Sequence, residues 1–423
     1  MKKHSFSGLV SLIFFAQAAF FICGNPSGYA ANAGESIRAG NEAVRKGDMN
    51  KAIESFNKAI SLDAKDSNAY VGLGNLYFQK GDDDKAIESF NKAISLNAES
   101  SGAYVGLGHV YSRKGDDDKA VESFNKAIFL DAKCSGAYVG LAFIYSRKDN
   151  AEKAIEFYNK AISLGAKESG AYVGLGHLYF QKGNIDGAIQ SFNKAISLNA
   201  KEPSAYVGLG QLYFQQGNTG KAIESFNKAI SVDAREPNAY VGLGHLYFQQ
   251  NNIDKAIEFY NKAVSLGTKD PNASVGLGHI YFQKGKVEKA IESFTKAVSV
   301  DAKCAGAYVG LGNIDVQKGN TEKAIEFYNK AISLNAKESN AYVGLGNSYF
   351  QQGKVKKAIE SFNKAISLDA RNSMAYYGLG MSHLSFHETD SALQQYTILN
   401  NLNKDLAQKL YKAIQSANST INP

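Results

Sequence analysis

The chain has 423 residues, 44% of them apolar and 21% charged, with only five prolines, three cysteines and no tryptophan. That length would hold several ordinary domains. A formal net charge of +7 is mild for such a length and gives no argument for nucleic acid or an anionic membrane as partner.

Met1 to Ala33 has the pattern of a secretory signal. Lys2 and Lys3 form a basic start, and Leu9 to Ile22 form an apolar run. Ala31-Asn32-Ala33 offers small residues for cleavage before Gly34. The apolar run has 14 residues, short of the ~20 that span a bilayer. The expected location is therefore exported, periplasmic or secreted. Two other readings are an uncleaved anchor over residues 9–22 and lipidation at Cys23, against which the bulk of Ile22 counts.

From residue 34 onward the chain repeats itself. An Ala-Tyr pair recurs at 69, 103, 137, 171, 205, 239, 307, 341 and 375, with Ala273-Ser274 filling the gap, so each step is 34 residues or a multiple of it. A fixed period marks a solenoid of stacked units. Taking Ser67 as position 1, Ala69, Tyr70, Leu73, Gly74 and Tyr77 share one helical face. Gly81 then suits the left-handed residue that ends a helix. Asp82 to Asp84 can cap the next helix. That second helix carries Ala86, Phe90, Ala93, Ile94 and Leu96 on one side. Glu88 precedes Lys92 by four residues, a pairing worth roughly 0.2–0.5 kcal/mol. Pro203, Pro237 and Pro271 stand where a first helix starts and a missing N–H is harmless. Two short helices cannot bury both faces alone; stacking does that, so truncating a position-24 Phe to Ala should cost roughly 3–5 kcal/mol.

The pattern of an aromatic at 4, Leu at 7, Gly at 8, Tyr at 11, Gly at 15, Ala at 20, Phe or Tyr at 24 and Ala at 27 resembles the tetratricopeptide repeat. It departs at position 32, with Ala98 and Ala132 where that family often has Pro, and at position 6, an unusual Gly (Gly72). The resemblance implies an all-α fold, a right-handed superhelical α-solenoid of stacked helix-turn-helix repeats, with a concave groove that binds peptides.

In chain order, residues 34–66 form a capping repeat whose first helix is eroded by Ser36, Arg38, Ala43 and Arg45. Nine repeats fill 67–372. Residues 373–406 are a degraded copy that keeps Tyr376, Leu379, Gly380, Ala392 and Tyr396, with His383 and Leu399 as replacements. Leu410, Tyr411 and Ile414, with Leu406 just ahead of them, then mark a final amphipathic helix within 407–423, with a loose tail from Ser419. Three residues break the pattern: Asp149 replaces the turn Gly, Ser274 an aromatic, and Asp315 the position-11 Tyr. A lone buried carboxylate is costly, so Asp315 could mark a soft joint between repeats eight and nine, though drift in redundant copies is the favoured account.

The resembled family grips ligands on first-helix positions 2, 5, 9, 12 and 13. Here position 5 is Val (Val71, Val105, Val173). Position 9 varies: Asn75, His109, Phe143, His177, Gln211, His245, His279, Asn313 and Asn347. Position 12 is mostly Phe: Phe78, Phe180, Phe214, Phe248, Phe282 and Phe350. Position 13 is mostly Gln (Gln79, Gln181, Gln215, Gln249, Gln283, Gln351), with Arg113 and Arg147 in repeats three and four. The expected groove is neutral, aromatic and rich in amides able to pair with a peptide backbone. Packing of the position-12 rings on the next repeat is the rival account. The family's carboxylate-clamp lysines and arginines are absent, since Val71 and Gly72 occupy those places.

The histidines invite a metal reading, but only His245 and His279 lie on adjacent repeats, and no carboxylate or Cys recurs beside them. No metal or cofactor is expected. As ligand contacts they would make binding change between pH 5 and 8. Gly72-Leu73-Gly74 lacks the third glycine and the preceding strand of a dinucleotide fingerprint. No nucleophile constellation recurs, so no catalytic residue is expected. Cys134 and Cys304 sit five repeats apart, too far for a disulfide.

The resemblance implies a non-catalytic scaffold for a protein or peptide partner, and nothing in the composition or the motifs points to chemistry of its own. A second reading is a self-associating structural component of the envelope, against which the degraded end repeats count. A third is a substrate-binding subunit for a separate enzyme such as a glycosyltransferase.

Overall fold

The computed structural model describes residues 31–166 and 168–421. Over these the chain is all-α, with 23 helices, the first 22 in consecutive pairs and the last alone, and no strand among the described residues. It is a solenoid of stacked helix-turn-helix repeats. The chain forms two compact bodies, one ending at Ala234 and one beginning at Arg235.

The expected basic start, apolar run and Cys23 lie outside the described residues. The first helix spans Ala31–Arg45, with Ala33 fully buried, so the expected cleavage point falls inside its first turn. Ile37 and Ala43 join the core of the first repeat. Arg38 and Arg45 are exposed.

Helix ends follow their local chemistry. Asp82 accepts from the Lys85 N–H at 3.2 Å, and Asp48, Asp116, Asn150, Asn184, Asn218 and Asn252 act in the same way at their own helices. Each such cap contributes on the order of 1 kcal/mol. Gly81 and Gly115 close first helices at φ 81°, a conformation that side chains disfavour. Asp149, Asn251 and His387 adopt it at φ 58°, 59° and 61° in place of glycine. Pro203 and Pro237 lie in the first turn as expected, whereas at Pro271 the helix starts one residue later, at Asn272.

The core of most repeats is a ring wedged between two glycines; in repeat four Ala142 takes one of the two places beside Tyr158. Phe90, fully buried, has Gly74 of its own repeat on one side and Gly106 of the next on the other. A Cβ on Gly74 would lie 2.7 Å from the ring, and one on Gly106 only 2.2 Å. Phe124 sits in the same way between Gly108 and Gly140, and Phe294 between Gly278 and Gly310. The unusual position-6 glycine thus has a steric reason: a methyl group there would occupy the space of the ring that joins two repeats.

The last repeat keeps this design with a different knob. Leu410, from the terminal helix Lys404–Ile421, fills the place beside Gly380, where a Cβ would meet it at 2.6 Å. Tyr376, Ala392, Leu399, Ala407, Leu410 and Ile414 form one cluster there. The terminal helix continues through Ile421, past the expected loose point at Ser419.

Asp315 is buried but not alone. It accepts from the Asn320 side-chain amide at 3.1 Å, and Lys323 Nζ stands 3.9 Å away. A cluster holding Phe294, Ala297, Ala307 and Ile314 runs across the boundary between repeats eight and nine, so packing is continuous where a soft joint was considered.

Candidate functional site

The first-helix face divides into a buried seam and an exposed edge. Val71, Val173, Val207, Val241, Val309 and Val343 are all buried. Val71 shares a cluster with Ala103 and Leu107 of the following repeat. Position 5 therefore joins repeats rather than lining an open wall, a correction to the expected groove. Val105 is half-buried, and a Cβ placed on Gly136, at the start of the next first helix, would lie 3.9 Å from its Cγ1.

The position-12 rings are shared between seam and surface. Phe78 is buried at 2% exposure, so it is not available to a ligand. Phe180, Phe282 and Phe350 are half-buried and pack on clusters that include residues of the next repeat. Phe214 and Phe248 are half-buried as well. Exposure begins at position 13, where Gln79, Gln181, Gln215, Gln249, Gln283 and Gln351 all reach solvent. Gln181 donates to Asp149 at 3.3 Å.

Arg113 and Arg147 are structural ties instead of free groove cations. Arg113 pairs with Asp83 of the preceding repeat, donates to the Phe78 carbonyl at 2.6 Å and lies 3.7 Å over the Phe78 ring. Arg147 pairs with Asp117 and donates to the Ser112 carbonyl at 3.2 Å. Both pairs are about three-quarters covered, so removing one partner would leave the other a poorly solvated charge. Lys114–Asp84, Lys148–Asp118, Lys182–Glu152 and Lys284–Asp254 repeat the offset of 30 residues at more exposed places. That recurring spacing between a basic and an acidic residue was a readable signal in the sequence.

The position-9 residues cover the core rings of their own repeats. His109 meets Phe124 edge-on at 5.1 Å, His177 meets Phe192 at 5.1 Å, and His279 meets Phe294 at 5.2 Å. Burial pushes His109 and His177 down to about 4 and lowers His279. A neutral imidazole is the form this environment accepts. His109 and His177 do not switch charge between pH 5 and 8, which corrects the expectation for them, and burial holds His279 toward the neutral form. In two of the three repeats whose core ring is Tyr, position 9 is its hydrogen-bond partner; in repeat four, with Tyr158, position 9 is Phe143. Tyr260 Oη and His245 Nδ1 are 2.8 Å apart, and Tyr328 donates to Asn313 at 2.7 Å. Asn75 turns its Oδ1 inward, where it has no partner among the described residues. Gln211 and Asn347 are half-buried.

Among the described residues, no three of His, Cys, Asp and Glu lie close enough to hold a metal ion. No helix of those residues is long and apolar enough to cross a membrane. Cys134 is buried and Cys304 half-buried, and neither is in a disulfide.

A TPR repeat family model matches residues 40–81, 74–115, 176–217, 210–250, 244–285, 278–314, 312–353 and 346–385. A second, described as tetratricopeptide repeat, matches 101–134 and 135–166. No curated protein sequence matches the chain. Similar solved structures include the APC/C hetero-tetramer Cut9–Hcn1, at TM-score 0.49 and 16% identity over 90% of this chain and 96% of that one. Yeast Tom70 matches at TM-score 0.43 and 18% identity, covering 92% and 95%. A tetratricopeptide repeat protein from Parabacteroides merdae matches at TM-score 0.45 and 22% identity, covering 62% and 99%. With matches to the repeat models running from residue 40 to residue 385, this chain belongs to the tetratricopeptide repeat family.

Proposed function

We propose that this protein is a non-catalytic scaffold that holds an extended polypeptide along the exposed edge of its first helices. The tetratricopeptide fold typically mediates protein–protein interaction. The observation that carries the reading is the recurrent exposed glutamine at position 13: Gln79, Gln181 and Gln215 in the first body, and Gln249, Gln283, Gln317 and Gln351 in the second. An amide side chain both donates and accepts, so it can pair with either group of a peptide backbone. Repetition of one contact favours an extended or repetitive ligand through avidity. Half-buried Phe rings beside these amides supply apolar contact. Export to the envelope is part of the proposal and rests on the residues before Gly34.

Replacing all seven position-13 glutamines, Gln317 among them, with alanine and capturing partners from an envelope extract tests the binding reading. Capture should be lost while the melting temperature is unchanged. Capture that survives in the folded variant would overturn it. Cell fractionation with N-terminal sequencing of the recovered protein tests export.

A further inference from the structure

In seven repeats a lysine at position 19 stands over the position-11 tyrosine of its own repeat. Lys85 over Tyr77, Lys119 over Tyr111, Lys255 over Tyr247 and four further pairs hold the ammonium 4.8 to 5.7 Å from the ring centroid. A cation is drawn to the negative face of the ring, and the lysine stem shields apolar surface. Repeat five has Gly187 at this position, which has no side chain to place there. A groove of about 730 Å³ opens between its two helices, with Tyr172, Tyr179, Asp186, Gln190 and Gly187 among its lining residues.

The geometry points to this groove as a site for a lysine side chain of a partner polypeptide, docked where the sister repeats dock their own. Three observations support a cationic occupant. Tyr179 offers the same ring that carries an ammonium in seven other repeats. A Cβ on Gly187 would lie 3.0 Å from Tyr179 Cδ2, so the missing side chain is the one that would cover this ring. Asp186 lines the groove with a carboxylate, and position 22, Glu in the sister repeats, is here the neutral Gln190. The substitution pair removes a built-in cation and the anion three residues after it together, leaving Asp186 as the acid on the groove wall. Lys194 is also at the groove, but lysine occupies that position throughout the repeats, so it does not take the vacated place. This site lies outside the glutamine edge and does not depend on the scaffold reading.

The test is saturation-transfer NMR on the full chain with Nα-acetyl-lysine methylamide, and with the neutral Nα-acetyl-norleucine methylamide as control. Gly187→Lys supplies the missing side chain. A Cβ on Gly187 would start 2.7 Å from the Asn184 side-chain amide, which must turn aside as Asn150, Asn218 and Asn252 already do where they cap helices that carry a lysine at this place. The lysine compound should show transfer to its ε-methylene protons at least three-fold stronger in the native chain than in Gly187→Lys, with little transfer to norleucine. Asp186→Asn, which keeps the groove's shape, should weaken the lysine signal by a similar factor. Equal signals in native and Gly187→Lys proteins, or norleucine binding as well as lysine, would overturn the assignment. Should Gly187→Lys lose helical ellipticity, Asp186→Asn decides by the same criterion.

Discussion

The side-chain amide of Asn320 donates to the carboxylate of Asp315 at 3.1 Å, and in doing so it gives up its position as a helix cap. Asn150, Asn184, Asn218 and Asn252 each accept a backbone N–H at the same place. Asn320 makes no such bond. The repeat thus satisfies a buried carboxylate by sacrificing a cap. Asn320→Ala should destabilise by about 1–3 kcal/mol, since it leaves an acceptor buried without its donor. Asn252→Ala should cost only on the order of 1 kcal/mol. Asp315→Tyr should raise stability and shrink the cost of Asn320→Ala toward that of an ordinary cap. Urea unfolding of the single and double variants measures all of this.

Gly106→Ala should destabilise although alanine is the better helix former. Its Cβ would lie 2.2 Å from the Phe90 ring, so the ring or the next helix must move. Overpacking of this kind costs about 1–3 kcal/mol. Combining Gly106→Ala with Phe90→Leu should cost less than the sum of the two. Additive costs in thermal unfolding would count against the wedge.

Stability should fall between about pH 6.5 and pH 4. Above that window the imidazoles of His109 and His177 are neutral in both the folded and unfolded chain. As the pH drops through 6.5, the unfolded chain takes up protons that the native rings refuse until about 4. Stability is therefore present above the unfolded value and lost toward the folded one. At ~1.4 kcal/mol per unit, less what the rings' remaining solvent contact screens, each histidine accounts for about 1–3 kcal/mol. Asn serves at this position in Asn75, Asn313 and Asn347. His109→Asn with His177→Asn should flatten the profile over this window, as read by urea midpoints at a series of pH values.

Arg113→Gln should loosen the seam between repeats two and three. It removes the Asp83 pair, the bond to the Phe78 carbonyl and the cover over the Phe78 ring together. A loss of about 1–3 kcal/mol is expected, because Asp83 and a carbonyl are left without their donor. Hydrogen exchange should quicken in Ser67–Lys80 and Asp83–Leu96 before it does in the second body. Lys80→Gln, on an exposed side chain, should have little effect and serves as the control.

Periodic and local features were legible in the residues. The 34-residue step, the glycine turns at Gly81 and Gly115 and the core ring at Phe90 depend on neighbours within one turn or one repeat. Chemistry that recurs at a constant offset reads directly as structure. The seam was harder to read because it is made by residues that face the next repeat. Val71 has the same helical spacing whether its side is open or covered. Arg113 reads as a groove cation until Asp83 is found at its side. Gly72 looked like a departure from the family pattern until Phe56 filled the space a methyl group would need.

By itself, the sequence determined that this chain is a stack of helix pairs, because backbone capping and apolar period act over a few residues. Tertiary structure alone decided which face of each pair stays free. Burial is a property of the neighbour that arrives, and no single repeat contains the neighbour that covers it.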